Sequence, residues 1–97
     1  ITSIAGETQG KLQLTSSSGT TWNVSSNIPS VHNLGFAIWS NESSIVPFAI
    51  RHDNKIGINT TSPTEALDVI GNIKATGSGD IEGDISVGGN ADFKGTV

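Results

Sequence analysis

The chain has 97 residues, a mass of 10.0 kDa and a net charge of −4, which leaves room for one compact domain or for a small domain with a repetitive tail. Its five basic residues, Lys11, Arg51, Lys55, Lys74 and Lys94, are scattered, which argues against the basic patch that nucleic acid and anionic membranes call for. Cysteine is absent, so disulfides and thiolate metal sites are excluded as staples, and no apolar run approaches the roughly 18 residues that span a bilayer.

Hydrophobic residues make up 34% of the chain, a thin supply for the core of a monomer this small. Oligomerisation is the remaining cheap means of stabilising it. Asn, Ser and Thr together number 31, against 14% charged residues, a neutral polar coat that suits an extracellular or virion β-protein better than a cytosolic enzyme. Starting at Ile1 and stopping at Val97 within a repeat, the chain reads as a segment of a longer protein.

In chain order, "KLQLTSSSGTTWNVS" (residues 11 to 25) places Leu12 and Leu14 on one face, breaks at the Ser/Gly turn, and then alternates Trp22 and Val24. That is the pattern of a hairpin with one buried face. "LGFAIWS" sets Phe36 and Ile38 opposite Ala37 and Trp39, residues 41 to 44 supply a turn, and "IVPFAIRH" alternates Val46, Phe48 and Ile50, with Pro47 pointing to an edge strand or a bulge. "HDNK" is a tight turn, and "KIGIN" carries Ile56 and Ile58 as another short strand. No window holds a 3.6-residue apolar period, so residues 1 to 59 are expected to form a small globular all-β domain. Ser62, Pro63 and Glu65 have the spacing of a capping box, which predicts one helical turn at 63 to 66 inside a corner spanning 60 to 66.

Period-two alternation resumes at Leu67 and Val69, and the expected shaft runs from 67 to 97. Gly71, Gly77, Gly83, Gly89 and Gly95 recur every six residues, while every odd position from 71 to 97 is Gly, Ala, Val, Ile or Phe. Every even position there is polar except Gly88. Such a repeat predicts a β-helical or β-spiral shaft of short strands with one inward face. One chain cannot build it from 27 residues, because a hexapeptide β-helix uses about three hexads per coil, so the tail would make only about one and a half coils where a solitary solenoid needs about three stacked repeats to cover its faces. Three parallel chains solve the problem, with Ile73, Ile81, Ile85, Val87 and Phe93 meeting at the axis of a homotrimer. A longer single-chain solenoid is the competing arrangement.

"KIGINTTSPTEALDVIGNIKATG" (55 to 77) closely resembles the "VGIGTTSP…LDV.GNI.ATG" signature of trimeric fibre proteins, notably bacteriophage tail fibres and related bacterial fibres and adhesins. Ile56 and Asn59 stand where the signature usually has Val and Gly, and Asn can adopt the left-handed conformation that Gly would supply. The resemblance implies parallel homotrimers in which compact β-domains alternate with slender shafts, attached to a virion tail or displayed on a bacterial surface. It implies attachment to a host or neighbouring cell. Residues 1 to 54 carry no part of the signature.

Candidate chemistry is sparse. His32 and His52 lack ligand-spaced partners, and Asp80, Glu82 and Asp84 alternate on the polar phase of the tail as a solvated stripe, so no metal or cofactor is expected. Glu42, Asp53 and Glu65 could be imagined as glycosidase carboxylates, but any chain offers such acids and this one has little room for a cleft; no serine has a G-x-S-x-G context. The chain does not read as an enzyme. Asn23, Asn41 and Asn59 open N-x-[ST] sequons, which matter only in a eukaryotic secretory pathway. Trp22 and Trp39 suit either saccharide stacking or the packing of a core or protomer seam, and packing is the better-founded role. A ligand site, if present, falls on Trp39, Asn41, Arg51 and His52, with Asn33 nearby, in loops 26 to 35, 40 to 44 and 51 to 54. The expected function is that of a structural and adhesive fibre segment that meets a surface glycan or other cell-surface receptor. The alternatives are a spacer domain without a ligand and a monomeric carbohydrate-binding β-module.

Overall fold

Short β-prone runs separated by polar turns occupy residues 11 to 69, and a computed structural model, which describes residues 10–28 and 35–95, assembles them into a single sheet. Its strands are β1 (Lys11–Thr15), β2 (Thr21–Ser25), β3 (Gly35–Ser40), β4 (Phe48–Arg51), β5 (Ile56–Ile58) and β6 (Leu67–Val69). They lie side by side in sequence order, antiparallel throughout except for the parallel β5–β6 pair. The described chain is all-β.

Local chemistry explains each connection. β1 and β2 close on a turn in which Gly19, at φ 95°, donates to the Ser16 carbonyl at 2.9 Å, and Ser16 donates to that of Thr20. The β4–β5 turn uses Asn54 at φ 69°, its N–H bonded to the Arg51 carbonyl at 2.9 Å. Asn59 takes φ 61°, the left-handed conformation expected of the residue in the glycine position of the signature. Gly57 is obligatory for a different reason: a Cβ there would run into the Thr60 carbonyl oxygen.

Two local expectations are corrected. Pro47 lies neither on an edge strand nor in a bulge, because β4 begins at Phe48 and sits between β3 and β5; the proline has no N–H to give, and its carbonyl accepts the Asn59 N–H at 3.2 Å. No helical turn forms at 63 to 66. Asp68 reaches back from β6 instead and accepts from the Thr64 N–H at 3.0 Å and the Thr64 hydroxyl at 3.3 Å, while the Ser62 N–H, which a capping box would give to Glu65, goes to the Thr60 hydroxyl at 3.1 Å. The corner thereby returns the chain to the sheet, with Ile56 N–H on the Ala66 carbonyl and Ile70 N–H on that of Ile58.

Leu67–Val69, expected to open the shaft, pair with β5 as the last strand of the sheet, and the chain leaves the sheet only beyond Ile70. Residues 71 to 95 form no strand, and the radius of gyration is 17.4 Å, against about 12.5 Å for a compact domain of this length. Within that tail a Cβ added at Gly77, Gly83, Gly89 or Gly95 would meet nothing within 4 Å. A single chain by itself imposes no packing demand for glycine at these four positions.

Candidate interaction surface

The two faces of the sheet are unequal. One face carries Asn23, Ser25, Ala37, Ala49 and Gly57, all buried. Small side chains there allow Ile28 and Val46 to approach closely, and these two with Ala37 and Ala49 form the core, against which Trp39 packs. Asn23 is fully buried and fully used: its Oδ1 accepts from Gln13 Nε2 at 2.9 Å, and its Nδ2 donates to Asn41 Oδ1 at 2.8 Å. A buried amide is tolerated only with such partners.

The opposite face holds the large apolar side chains. Register places Leu12, Val24, Ile38, Phe48, Ile58 and Val69 in one row across all six strands. A second row, on one side of it, is Phe36, Ile50, Ile56 and Leu67. The third, on the other side, is Leu14, Trp22 and Ser40. Phe36 and Phe48 meet edge to face with ring centroids 6.5 Å apart, a diagonal pair that stiffens the surface. Of these apolar side chains none is buried: Leu14, Trp22 and Leu67 are more than two-fifths exposed and the remainder partly so.

Alternation therefore groups the residues correctly, but the face of Trp22 and Val24, expected to be the buried one, is the open one. Volume decides the matter. The chain can cover small residues with two aliphatic side chains from its loops, and it has no described element that covers twelve large ones. At the end of this face Trp22, Ser40, Ser43, Ile45 and Pro47 line an open cleft of about 230 Å³. Below it Ser40 Oγ donates to Glu42 Oε2 at 3.0 Å and accepts the Glu42 N–H at 3.1 Å.

The four residues singled out for a ligand do not converge. Trp39 packs on the core, and Asn41 is engaged by Asn23 at the same end of the sheet. Arg51 lies opposite Gly35 at the other end, about 13 Å away along the strands, where its guanidinium donates to the Thr61 carbonyl at 3.3 Å. His52 follows it, exposed in the β4–β5 turn. His32 and Asn33 lie outside the described residues, as does most of the 26 to 35 loop. Asp80, Glu82 and Asp84 are exposed, and the described residues include no cluster of three potential metal ligands.

Sequence reasoning missed the Gln13–Asn23–Asn41 relay. The available signal was that residues 13 and 23 share the phase of Ala37 and Ala49, so polar groups there had to pair with one another. In the tail, Ile73 (74% exposed), Ile81 (61%), Ile85 (70%), Val87 (53%) and Phe93 (76%) stand open to solvent.

No family model and no solved structure matches the chain. An uncharacterized membrane protein of Dictyostelium discoideum is 52% identical over 42 residues, which are 43% of this chain. The chain spans 2% of that protein's length. No helix among the described residues is long and apolar enough to cross a membrane.

Proposed function

We propose that this chain is a segment of a homotrimeric fibre, in which residues 71 to 97 of three chains wind into a glycine-spaced β-shaft below the sheet domain. The observation that carries this reading is the exposure of Ile73, Ile81, Ile85, Val87 and Phe93 on an alternating tail that, among the described residues, joins no strand of its own chain. Apolar surface of this extent, recurring with a fixed period, calls for neighbours of the same period. Three identical chains supply them. The resemblance of residues 55 to 77 to trimeric fibre proteins points the same way.

Such a segment holds three chains in register and presents its loops outward from a virion tail fibre or bacterial surface. Residues 41 to 44 and 52 to 54, at opposite ends of the sheet, are the exposed turns on which a surface glycan or other receptor would be met. Three weak sites on one rod gain avidity without new contacts. A spacer without a ligand needs the same architecture and no binding turn.

Sedimentation of the 97-residue chain beside an Ile81→Lys, Ile85→Lys variant tests the assembly. A three-chain mass that is lost in the variant supports the fibre, whereas one-chain mass in both excludes it. Glycan-array binding of the intact chain then separates the roles: saturable binding identifies the adhesive one, and silence on a broad panel the spacer.

A further inference from the structure

We infer that the open apolar face of the sheet is itself a protomer interface, covered by the two other copies of this chain, so that the domain as well as the tail joins the trimer. The inference presupposes the trimeric reading above and adds to it the surface on which the domains meet.

Three observations on the surface select a copy of the chain as the occupant. The first is continuity. Leu67 and Val69 of β6 lie on the open face, and the tail with its apolar odd positions follows β6 directly, after a bend at Ile70 and Gly71. Three tails wound together therefore bring three copies of β6, and with each one edge of this face, toward a common axis. The second is charge. The chain carries −4 overall, yet none of the three rows on this face holds Asp, Glu, Lys, Arg or His, and the Glu42 carboxylate sits only at the end of the third row, on Ser40, so over the first two rows identical acidic chains can meet with no like charges opposed. Lys11 and Asp68, at the two sheet edges, point to the opposite face. The third is area. The three rows cover roughly 400 Å² of sheet in projection. It is made of two phenylalanines, a tryptophan and nine aliphatic side chains, and a contiguous apolar patch of this size marks an interaction site. The central row is apolar on every strand, whereas the buried strand positions of the opposite face are Asn, Ser, Ala and Gly.

The chain contains no cysteine, so one introduced thiol gives an unambiguous probe. Leu67→Cys places it on the open face, where the side chain is 58% exposed in the single chain, and Lys11→Cys places it on the exposed rim of the other face. In the assembled 97-residue chain the thiol at 67 is expected to be alkylated at least ~10-fold more slowly than the thiol at 11, the protection that burial confers. A Leu14→Lys, Leu67→Lys variant, altered where exposure already exceeds half, should fold and should dissociate at least ~10-fold more readily, as loss of buried interface contacts does. Equal alkylation at both positions in a chain that does sediment as a trimer, with dissociation unchanged by the two lysines, overturns this interface and leaves assembly to the tail. A chain of single mass at every concentration overturns both the interface and the fibre.

Discussion

Asn23 Nδ2 lies 2.8 Å from Asn41 Oδ1 and joins the buried centre of β2 to the start of the β3–β4 loop. Both ends of the Asn23 amide are satisfied by side chains of the sheet and its loop, so Asn23→Ala removes both bonds and leaves a void at a fully buried position. The expected loss is about 1–3 kcal/mol of unfolding free energy, measured by urea denaturation at one fixed chain concentration. Asn23→Leu should lose at least as much, because it also overfills the space beneath Ile28 and Val46.

Gly57 and Gly83 should respond oppositely to alanine. At Gly57 the new methyl meets the Thr60 carbonyl oxygen and the Thr60 Cγ2, backbone and side chain of a tightly held turn. A loss of at least ~2 kcal/mol is expected in denaturation of Gly57→Ala. Gly83 has open space around it in the single chain, so Gly83→Ala should leave sheet stability unaltered while weakening self-association, a divergence that only packing between chains produces.

Asp68 holds the corner by accepting two bonds from Thr64. Asp68→Ala removes both and should cost about 1–2 kcal/mol. Its first structural sign should be faster amide exchange at Thr64 and at Ile56, whose N–H is bonded to the Ala66 carbonyl. Exchange unchanged at both amides would deny Asp68 this role.

The two tryptophans report on the two faces. Trp39 packs on the core, whereas Trp22 is 43% exposed on the open face. In the variant that retains only Trp22, acrylamide quenching should rise as the chain is diluted through its dissociation range, and in the variant that retains only Trp39 it should not. Trp39→Ala should lose about 2–3 kcal/mol by truncating a residue against the core. Loss of glycan binding in Trp39→Ala therefore counts for a ligand contact only if the sheet is still folded.

Much of the fold is written locally and was legible. Alternation at Leu12/Leu14, Phe36/Ile38 and Ile56/Ile58 marks strands, and the Gly19 and Asn54 turns mark where the chain reverses. What alternation cannot convey is which face a chain is able to cover. Asn23 and Ser25 look like solvent positions beside Trp22 and Val24, and only the bulk of Ile28 and Val46 over small neighbours reverses the assignment. The helical turn at 63 to 66 failed because Asp68, four residues beyond Thr64, takes the Thr64 donors and the Thr60 hydroxyl takes the Ser62 N–H, neighbours that the Ser62–Glu65 spacing leaves out. Pro47 was misplaced for a similar reason: that β4 lies inside the sheet depends on β5 pairing beyond it. As for the ligand residues, sequence proximity joined Trp39, Asn41, Arg51 and His52, but antiparallel pairing of β3 with β4 sends the two pairs to opposite ends.

The trimer is the claim on which the rest stands, and the absolute mass of the intact chain by light scattering over a wide dilution range tests it most directly. The account predicts three times 10.0 kDa at high concentration, falling toward one chain on dilution, and falling sooner for the Ile81→Lys, Ile85→Lys variant. A folded species of 10.0 kDa at every concentration would contradict it and leave a single-chain β-module with an open apolar face.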